Sequence, residues 1–202
     1  LDEILIATDD TRIAENAESF GAKVVMTSND HVSGTDRIAE AAKTDQHCTH
    51  IINIQGDEPL IDPELIDQLA EKISNDPKIC MITAAVPGIN NLDLANSNVV
   101  KTVINKENNA IYFSRSVIPH QNSESPAAPC YRHIGIYGYT KDFLLKFVRW
   151  EPSPLELAER LEQLRAIENG ESIHVIITDD NSIGVDTPEQ AIMVEQQILA
   201  NT

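Results

Sequence analysis

The apolar run IINIQ passes through Gly56 straight into Asp57, Glu58 and Pro59. An unpaired carboxylate is costly to bury. A strand that ends on two acids beside a glycine therefore either turns out into solvent or offers the acids to a cation. A further acid, Asp186, follows the tripeptide IGV and stands just before Thr187 and Pro188. In open α/β sheets ligands bind beyond the carboxyl ends of the strands, so Asp57 and Asp186 could meet at one rim. Mg²⁺ takes one or two carboxylates, keeps waters and completes its shell with substrate phosphates. Two rim aspartates suit that chemistry. Each also has a plainer reading, Asp57 as a turn acid and Asp186 as charge complementing a helix dipole.

Other stretches carry chemistry with the same ambiguity. SGTDR, residues 33–37, either brings backbone N–H groups and Arg37 to a ligand or is a helix N-cap with a surface arginine. RHIGIYGY alternates His133, Gly135, Tyr137 and Tyr139 on one strand face, which suits a ligand floor or a half-buried sheet. Glu162 and Arg165 stand at i, i+3 and form either a helix ion pair or, with Gln163, part of a cleft wall. Arg115, ending YFSR, is an anion binder by its bidentate geometry or a solvated side chain. The lone Trp150 reads as packing.

The elements that must position these residues follow an alternating rhythm. EILIAT is a strand, DTRIAENAESFG a helix stopped by Gly21, KVVM a strand, SGTDRIAEAAK a loop entering a helix, and HIINIQ a strand. DPELIDQLAEKI starts with Asp62 as N-cap and Pro63 at the first helical position, and ICMITAAV is a strand. This order predicts an α/β fold, a mostly parallel sheet with helices on both faces. The middle is mixed: NVVKTVINKENNAIYFSR reads as two strands around an Asn-rich turn, and residues 116–130 as an exposed loop. YRHIGIYGYT is then a strand and KDFLLKFVRW a helix. SPLELAERLEQLRAIENG reads as one helix, with Ser153 and Glu156 as a capping box and Gly170 as its stop. IHVIITD is a strand, and DTPEQAIMVEQQILAN a closing helix with a box from Thr187 to Gln190.

Composition bounds the function. The 202 residues are 42% hydrophobic, enough for one domain with a real core. With 32 acidic against 15 basic residues the net charge is −17. Such a surface repels nucleic acid, whose binding depends on basic side chains displacing counterions, yet a cation and a few placed bases still admit a small phosphorylated ligand. Three scattered cysteines give neither a disulfide framework nor a metal motif and fit a reducing, cytoplasmic setting. No apolar run is long enough to span a bilayer. The phosphate-cradling patterns GxGxxG and GxxxxGK[ST] are both missing from these residues.

Taken in order, HVSGTDR, NIQGDEP, AIYFSRSVIP, RHIGIYGY, EPSPLELAERLEQLRAIENGESIHV and GVDTPEQ resemble the 3-deoxy-manno-octulosonate (Kdo) cytidylyltransferases over nearly the whole chain. The resemblance implies a Rossmann-like nucleotidyltransferase sheet with a small mixed subregion. It also implies a reaction of CTP with Kdo giving CMP-Kdo and pyrophosphate for lipopolysaccharide synthesis, with Mg²⁺ as cofactor in a cytoplasmic homodimer. By motif match, Asp57 and Asp186 would be the catalytic metal ligands. Arg115, His133, Tyr137, Glu162 and Gln163 fall where the family holds the sugar acid, and Gly34, Thr35, Arg37 and Gln55 near where it holds the cytidine. The family opens with a strand and a basic loop resembling IPARxxSxRLPGKP, which residues 1–202 do not contain. The expectation is thus a single nucleotidyltransferase domain lacking its N-terminal strand, basic loop and first helix, inactive as residues 1–202 alone. Two alternatives stand beside this: a sister nucleotidyltransferase for another acidic sugar, and a non-catalytic nucleotide-sugar binding or dimerisation module.

Overall fold

The computed structural model describes residues 1–122, 128–180, 184, 185 and 187–200, the side chain of residue 91 excepted. The chain begins with β1 (Leu5–Thr8), α1 (Thr11–Ser19) and β2 (Lys23–Met26), and β1 and β2 pair in parallel. Asp10 caps α1 by accepting the Arg12 N–H at 2.8 Å, and Gly21 ends the turn with a φ of 85° that favours glycine. Next come α2 (Gly34–Thr44), β3 (His50–Asn53), α3 (Pro63–Asn75) and β4 (Met81–Pro87). α3 starts as its sequence predicts: Asp62 accepts the Glu64 N–H at 2.9 Å and Pro63 takes the first helical position. The mixed middle contains α4 (Asn91–Ala95), β5 (Lys101–Ile104) and β6 (Ala110–Ser114). β5 and β6 form the expected hairpin, and Asn108 takes a positive φ of 59° in its turn.

The long strand β7 (Tyr131–Thr140) organises the main sheet of six strands. It pairs antiparallel with β3, β4 and β5, and β8 (His174–Ile177) adds in parallel to β4. It follows that β3, β4, β5 and β8 all point the same way, while β6 and β7 point the other. Four of its six strands share one direction, but among the described ladders of this sheet only β4–β8 is parallel, because β7 runs in reverse between β4 and the pair β3 and β5. The ladders themselves are antiparallel wherever β7 is a partner.

Alternation along β7 divides the core. Ile134 and Ile136 face Leu65, Leu69 and Ile73 of α3. Tyr139 faces a second cluster that includes Ala39 of α2, Phe113 of β6, and Phe143 and Phe147 of α5 (Lys141–Phe147). Gly138 follows Ile134 and Ile136 on the α3 face and must be glycine, because a Cβ there would come within 2.5 Å of Ile82 Cγ2 and 2.9 Å of Ile52 Cδ1.

The single helix expected over 153–170 is instead two short ones, α6 (Pro154–Glu159) and α7 (Leu164–Glu168). Arg160 breaks it in the left-handed region, with φ 53°. The break lets α7 fold back so that buried Arg165 meets buried Glu156, its Nε donating to the carboxylate at 2.8 Å. Leu161 and Leu164 are buried by the same turn. Burying these side chains outweighs one residue in an unfavourable backbone region, which costs roughly 1–2 kcal/mol. Half of the expected capping box forms: Glu156 accepts the Ser153 N–H at 3.0 Å, while the buried Ser153 hydroxyl has no hydrogen-bond partner among the described residues. The closing helix α8 (Pro188–Ala200) starts with the predicted box: Gln190 accepts the Thr187 N–H at 2.9 Å. Among the described residues no helix is long and apolar enough to cross a membrane.

Candidate active site

The two edges of β7 are covered differently. β4 runs along the whole of one edge. On the other, β3 covers residues 137–140 and β5 covers residues 131 and 132, so residues 133–136 lie in a split between two partner strands. The chain leaving β3 turns at this split, the Glu58 N–H donating to Gln55 O at 3.1 Å. Glycines let the acidic turn approach the sheet: a Cβ at Gly135 would sit 3.6 Å from Glu58 Oε1, and one at Gly184 would sit 3.3 Å away. The Val185 N–H donates to the Asp57 carbonyl at 2.7 Å. The Asp57 side chain itself is exposed. Asp186, its expected partner, lies outside the described residues.

The start of α2 packs against this turn. Ser33 caps the helix by accepting the Asp36 N–H at 3.1 Å. A Cβ at Gly34 would stand 3.1 Å from Gln55 Oε1, so the glycine admits the Gln55 amide. Thr35 is buried, and its hydroxyl donates to the Glu162 carboxylate from the turn between α6 and α7. Arg165 lies 3.6 Å from the same carboxylate. Burial raises the Glu162 pKa and outweighs the opposing pull of Thr35, Ser33 and Arg165. Arg37 is not a solvated surface arginine: it donates to Thr27 Oγ1 at 2.6 Å and pairs with Asp9 at 3.2 Å, tying α2 to the β1–β2 sheet.

Aromatic rings continue the site along β7. Phe113 meets the His133 ring edge-on at 5.0 Å, Tyr137 lies 5.4 Å beyond, and Tyr139 stacks at 6.0 Å from Tyr137. Burial holds both tyrosines well above the usual phenol range, and the nearby Glu162 carboxylate adds to it. Burial, helped by the Arg132 charge, pushes His133 down to about 3, so its imidazole is neutral at physiological pH. Asn53, opposite Tyr137 across the β3–β7 ladder, is buried, and its Nδ2 has no hydrogen-bond partner among the described residues.

Arg115 occupies the β6 side. Its guanidinium donates to the carbonyls of Glu159 at 2.9 Å, Ser97 at 3.1 Å and Arg160 at 3.4 Å. An arginine has five N–H donors, and these bonds use three of them. Burial would raise the pKa of Glu159, but hydrogen bonds from Ser114 at 2.7 Å and the Arg115 N–H at 2.9 Å outweigh it and keep the carboxylate ionised. Fully buried Lys101 braces the same corner, its Nζ donating to the carbonyls of Arg115, Val99 and Asn96 at 2.5, 2.7 and 2.9 Å. Gln163 is buried in the turn between α6 and α7.

Gly34, Thr35, Gln55, Glu162, Tyr137 and His133 thus form one connected set, with Asp57 on its border through the 55–58 turn. Arg37 and Arg115 stand at opposite flanks, each held by protein acceptors. Sequence reasoning missed Asn53 and Thr83 as parts of this site, and carried Glu58 no further than the strand end. The second acid of QGDEP, and single polar residues inside the apolar runs of β3 and β4, were the available signals.

A family model described as cytidylyltransferase matches residues 1–173. A 3-deoxy-manno-octulosonate cytidylyltransferase of Syntrophotalea carbinolica is 47% identical over 98% of this chain and 82% of its own length. The chain belongs to the 3-deoxy-manno-octulosonate cytidylyltransferase family. Another relative of that name, from Solibacter usitatus, is 45% identical over 100% of this chain and 79% of its own. A solved structure of CMP:2-keto-3-deoxy-manno-octonic acid synthetase complexed with CTP superposes with a TM-score of 0.94 at 36% identity, covering 100% of this chain and 83% of that one. At 14% identity and a TM-score of 0.61, 4-diphosphocytidyl-2C-methyl-D-erythritol synthase of Anaerococcus prevotii shares the fold. As a member of the 3-deoxy-manno-octulosonate cytidylyltransferase family, the protein is a nucleotidyltransferase.

Proposed function

We propose that the protein transfers CMP from CTP to the anomeric hydroxyl of Kdo, releasing pyrophosphate, with Mg²⁺ as cofactor. The observation that carries this reading is the hydrogen bond from Thr35 to Glu162. It joins the motif residues that the family resemblance gives to the nucleotide with those it gives to the sugar acid, 127 positions apart in sequence. The names of the relatives and the CTP complex of the similar structure support the choice of substrates.

The residues fit a magnesium ion by their chemistry. Asp57 presents an exposed carboxylate at the end of β3, beside the Glu58 turn, and Mg²⁺ needs only one or two carboxylates when substrate phosphates complete its shell. Asp57 and Asp186 would hold it. When bound, the ion would lower the pKa of the attacking hydroxyl and stabilise charge at the α-phosphate. The chain's own part is positioning, which dominates phosphoryl-type transfer. Gly34 and Gln55 shape the nucleotide side, and Arg115 offers its guanidinium to the sugar carboxylate. His133 and Tyr137 offer neutral hydrogen-bonding groups from the floor.

The test is turnover of the intact protein with CTP, Kdo and MgCl₂, followed by phosphorus NMR, beside a panel of other acidic sugars and nucleotides. Formation of CMP-Kdo that stops with chelator is the expected result. Kdo-independent turnover, or preference for another sugar or nucleotide, would overturn the assignment, and full activity in chelator would overturn the metal.

A further inference from the structure

Thr83 lies in the centre of β4 and is fully buried. The β4–β7 register shifts there: Thr83 pairs with Tyr137 but Ala84 pairs with Ile134, so residues 135 and 136 bulge out of the ladder. Bulges re-aim side chains next to sites. The Thr83 hydroxyl fills this one, lying 2.7 Å from Ile136 O, 3.3 Å from Ile134 O and 2.9 Å from His133 Nε2. A hydroxyl has one proton to donate and two lone pairs. A carbonyl oxygen can only accept, and two oxygens 2.7 Å apart need a proton between them, so the Thr83 proton points to Ile136 O. The hydroxyl can then only accept from His133, and Nε2 must carry the ring proton.

We infer that Thr83 is a positioning residue that holds His133 as the Nε2–H tautomer, leaving Nδ1 as a fixed acceptor for a hydroxyl of the bound sugar. The imidazole then does not serve as a cation for the sugar's carboxylate; Arg115, at the flank of the set, takes that part. The low pKa of His133 agrees with this division, since a neutral ring whose Nε2–H is taken by Thr83 has only the Nδ1 lone pair to offer. The ring has little freedom to reorient, because Phe113 meets it edge-on at 5.0 Å, Tyr137 lies 5.4 Å away, and its backbone N–H is tied to Val100 O at 2.9 Å. The inference rests on the proposed sugar reading for the identity of the ligand, but not for the tautomer.

The experiment is long-range nitrogen–proton correlation NMR of ¹⁵N-histidine-labelled protein at neutral pH, with the His133 signals assigned by their loss in His133→Asn. The wild type should show a protonated Nε2 and a bare Nδ1. Thr83→Val should lose that preference and raise KM for Kdo roughly tenfold, on the order expected for one hydrogen bond, with KM for CTP unchanged. Thr83→Ser should restore both. A wild-type spectrum showing Nδ1–H or imidazolium would overturn the inference, as would a Thr83→Val protein with an unchanged tautomer. Should Thr83→Val fail to fold, the wild-type spectrum alone decides. Failure of the Kdo assignment would show separately, as a correct tautomer in a protein that does not turn over Kdo.

Discussion

The backbone N–H of Val185 donates a 2.7 Å hydrogen bond to the carbonyl of Asp57. Two segments more than a hundred residues apart are thereby fixed side by side, at the rim where β3 ends and just before Asp186. The proposed metal chemistry depends on this juxtaposition, because a carboxylate acts on a cation only at contact distance.

Asp57→Asn tests it directly. The carboxylate is exposed, so the fold should hold, with an unchanged urea midpoint. Turnover at limiting Mg²⁺ should fall by roughly 10²-fold, the scale of losing one preorganised electrostatic contact. Wild-type rates in both Asp57→Asn and Asp186→Asn would remove these residues from the metal.

Gly34→Ala should separate binding from stability. The position opens α2, where alanine is a better helix former than glycine, so stability should stay within about 1 kcal/mol of wild type. The new methyl would press on Gln55 Oε1, 3.1 Å away, and that flexible amide must move. Steady-state kinetics should show KM for CTP rising several-fold with KM for Kdo little altered. Equal effects on both would mean that Gln55 does not serve the nucleotide.

His133 makes the fold acid-sensitive, and the sign follows from its pKa. The folded value, about 3, lies below the ordinary 6.5. Between those values the unfolded chain takes up a proton that the native chain refuses, so stability falls as pH drops below 6.5. The slope from this group is at most about 1.4 kcal/mol per pH unit. Urea midpoints at pH 7.5 and pH 5 should differ more for wild type than for His133→Asn. His174, also pushed down by burial and Lys72, contributes equally to both and cancels in the comparison. Identical differences in the two proteins would contradict the buried neutral ring.

Glu156→Ala should cost more than an ordinary surface change. It leaves the buried Arg165 guanidinium with only the Trp150 carbonyl at 3.5 Å and the Glu162 carboxylate at 3.6 Å, and removes the acceptor of the Ser153 N–H at the start of α6. Breaking a buried pair on one side costs roughly 3–5 kcal/mol. Replacing both partners, Glu156→Leu with Arg165→Met, should recover much of that loss in chemical denaturation. A double variant as unstable as the single one would show that the cap, not the ion pair, holds this turn.

The sequence by itself determined the local elements and the chemical character of the site. Caps at Ser33 and Asp62, the Asn-rich hairpin and the alternation of β7 all depend on neighbours in the chain, and all form as their residues predict. The motifs QGDEP and RHIGIYGY marked where the acids and the aromatic floor would lie. Only the tertiary structure decided that the 153–170 helix breaks at Arg160, because the gain comes from burying Arg165 on Glu156, a pairing that helical periodicity cannot register. It alone decided that β3 and β5 share one edge of β7 and leave a split at residues 133–136, and that Thr83, an unremarked polar residue in an apolar strand, meets His133 across a bulge. Propensity and periodicity are short-range properties of the chain, whereas strand order, bulges and proton positions are set by contacts between residues that only folding brings together.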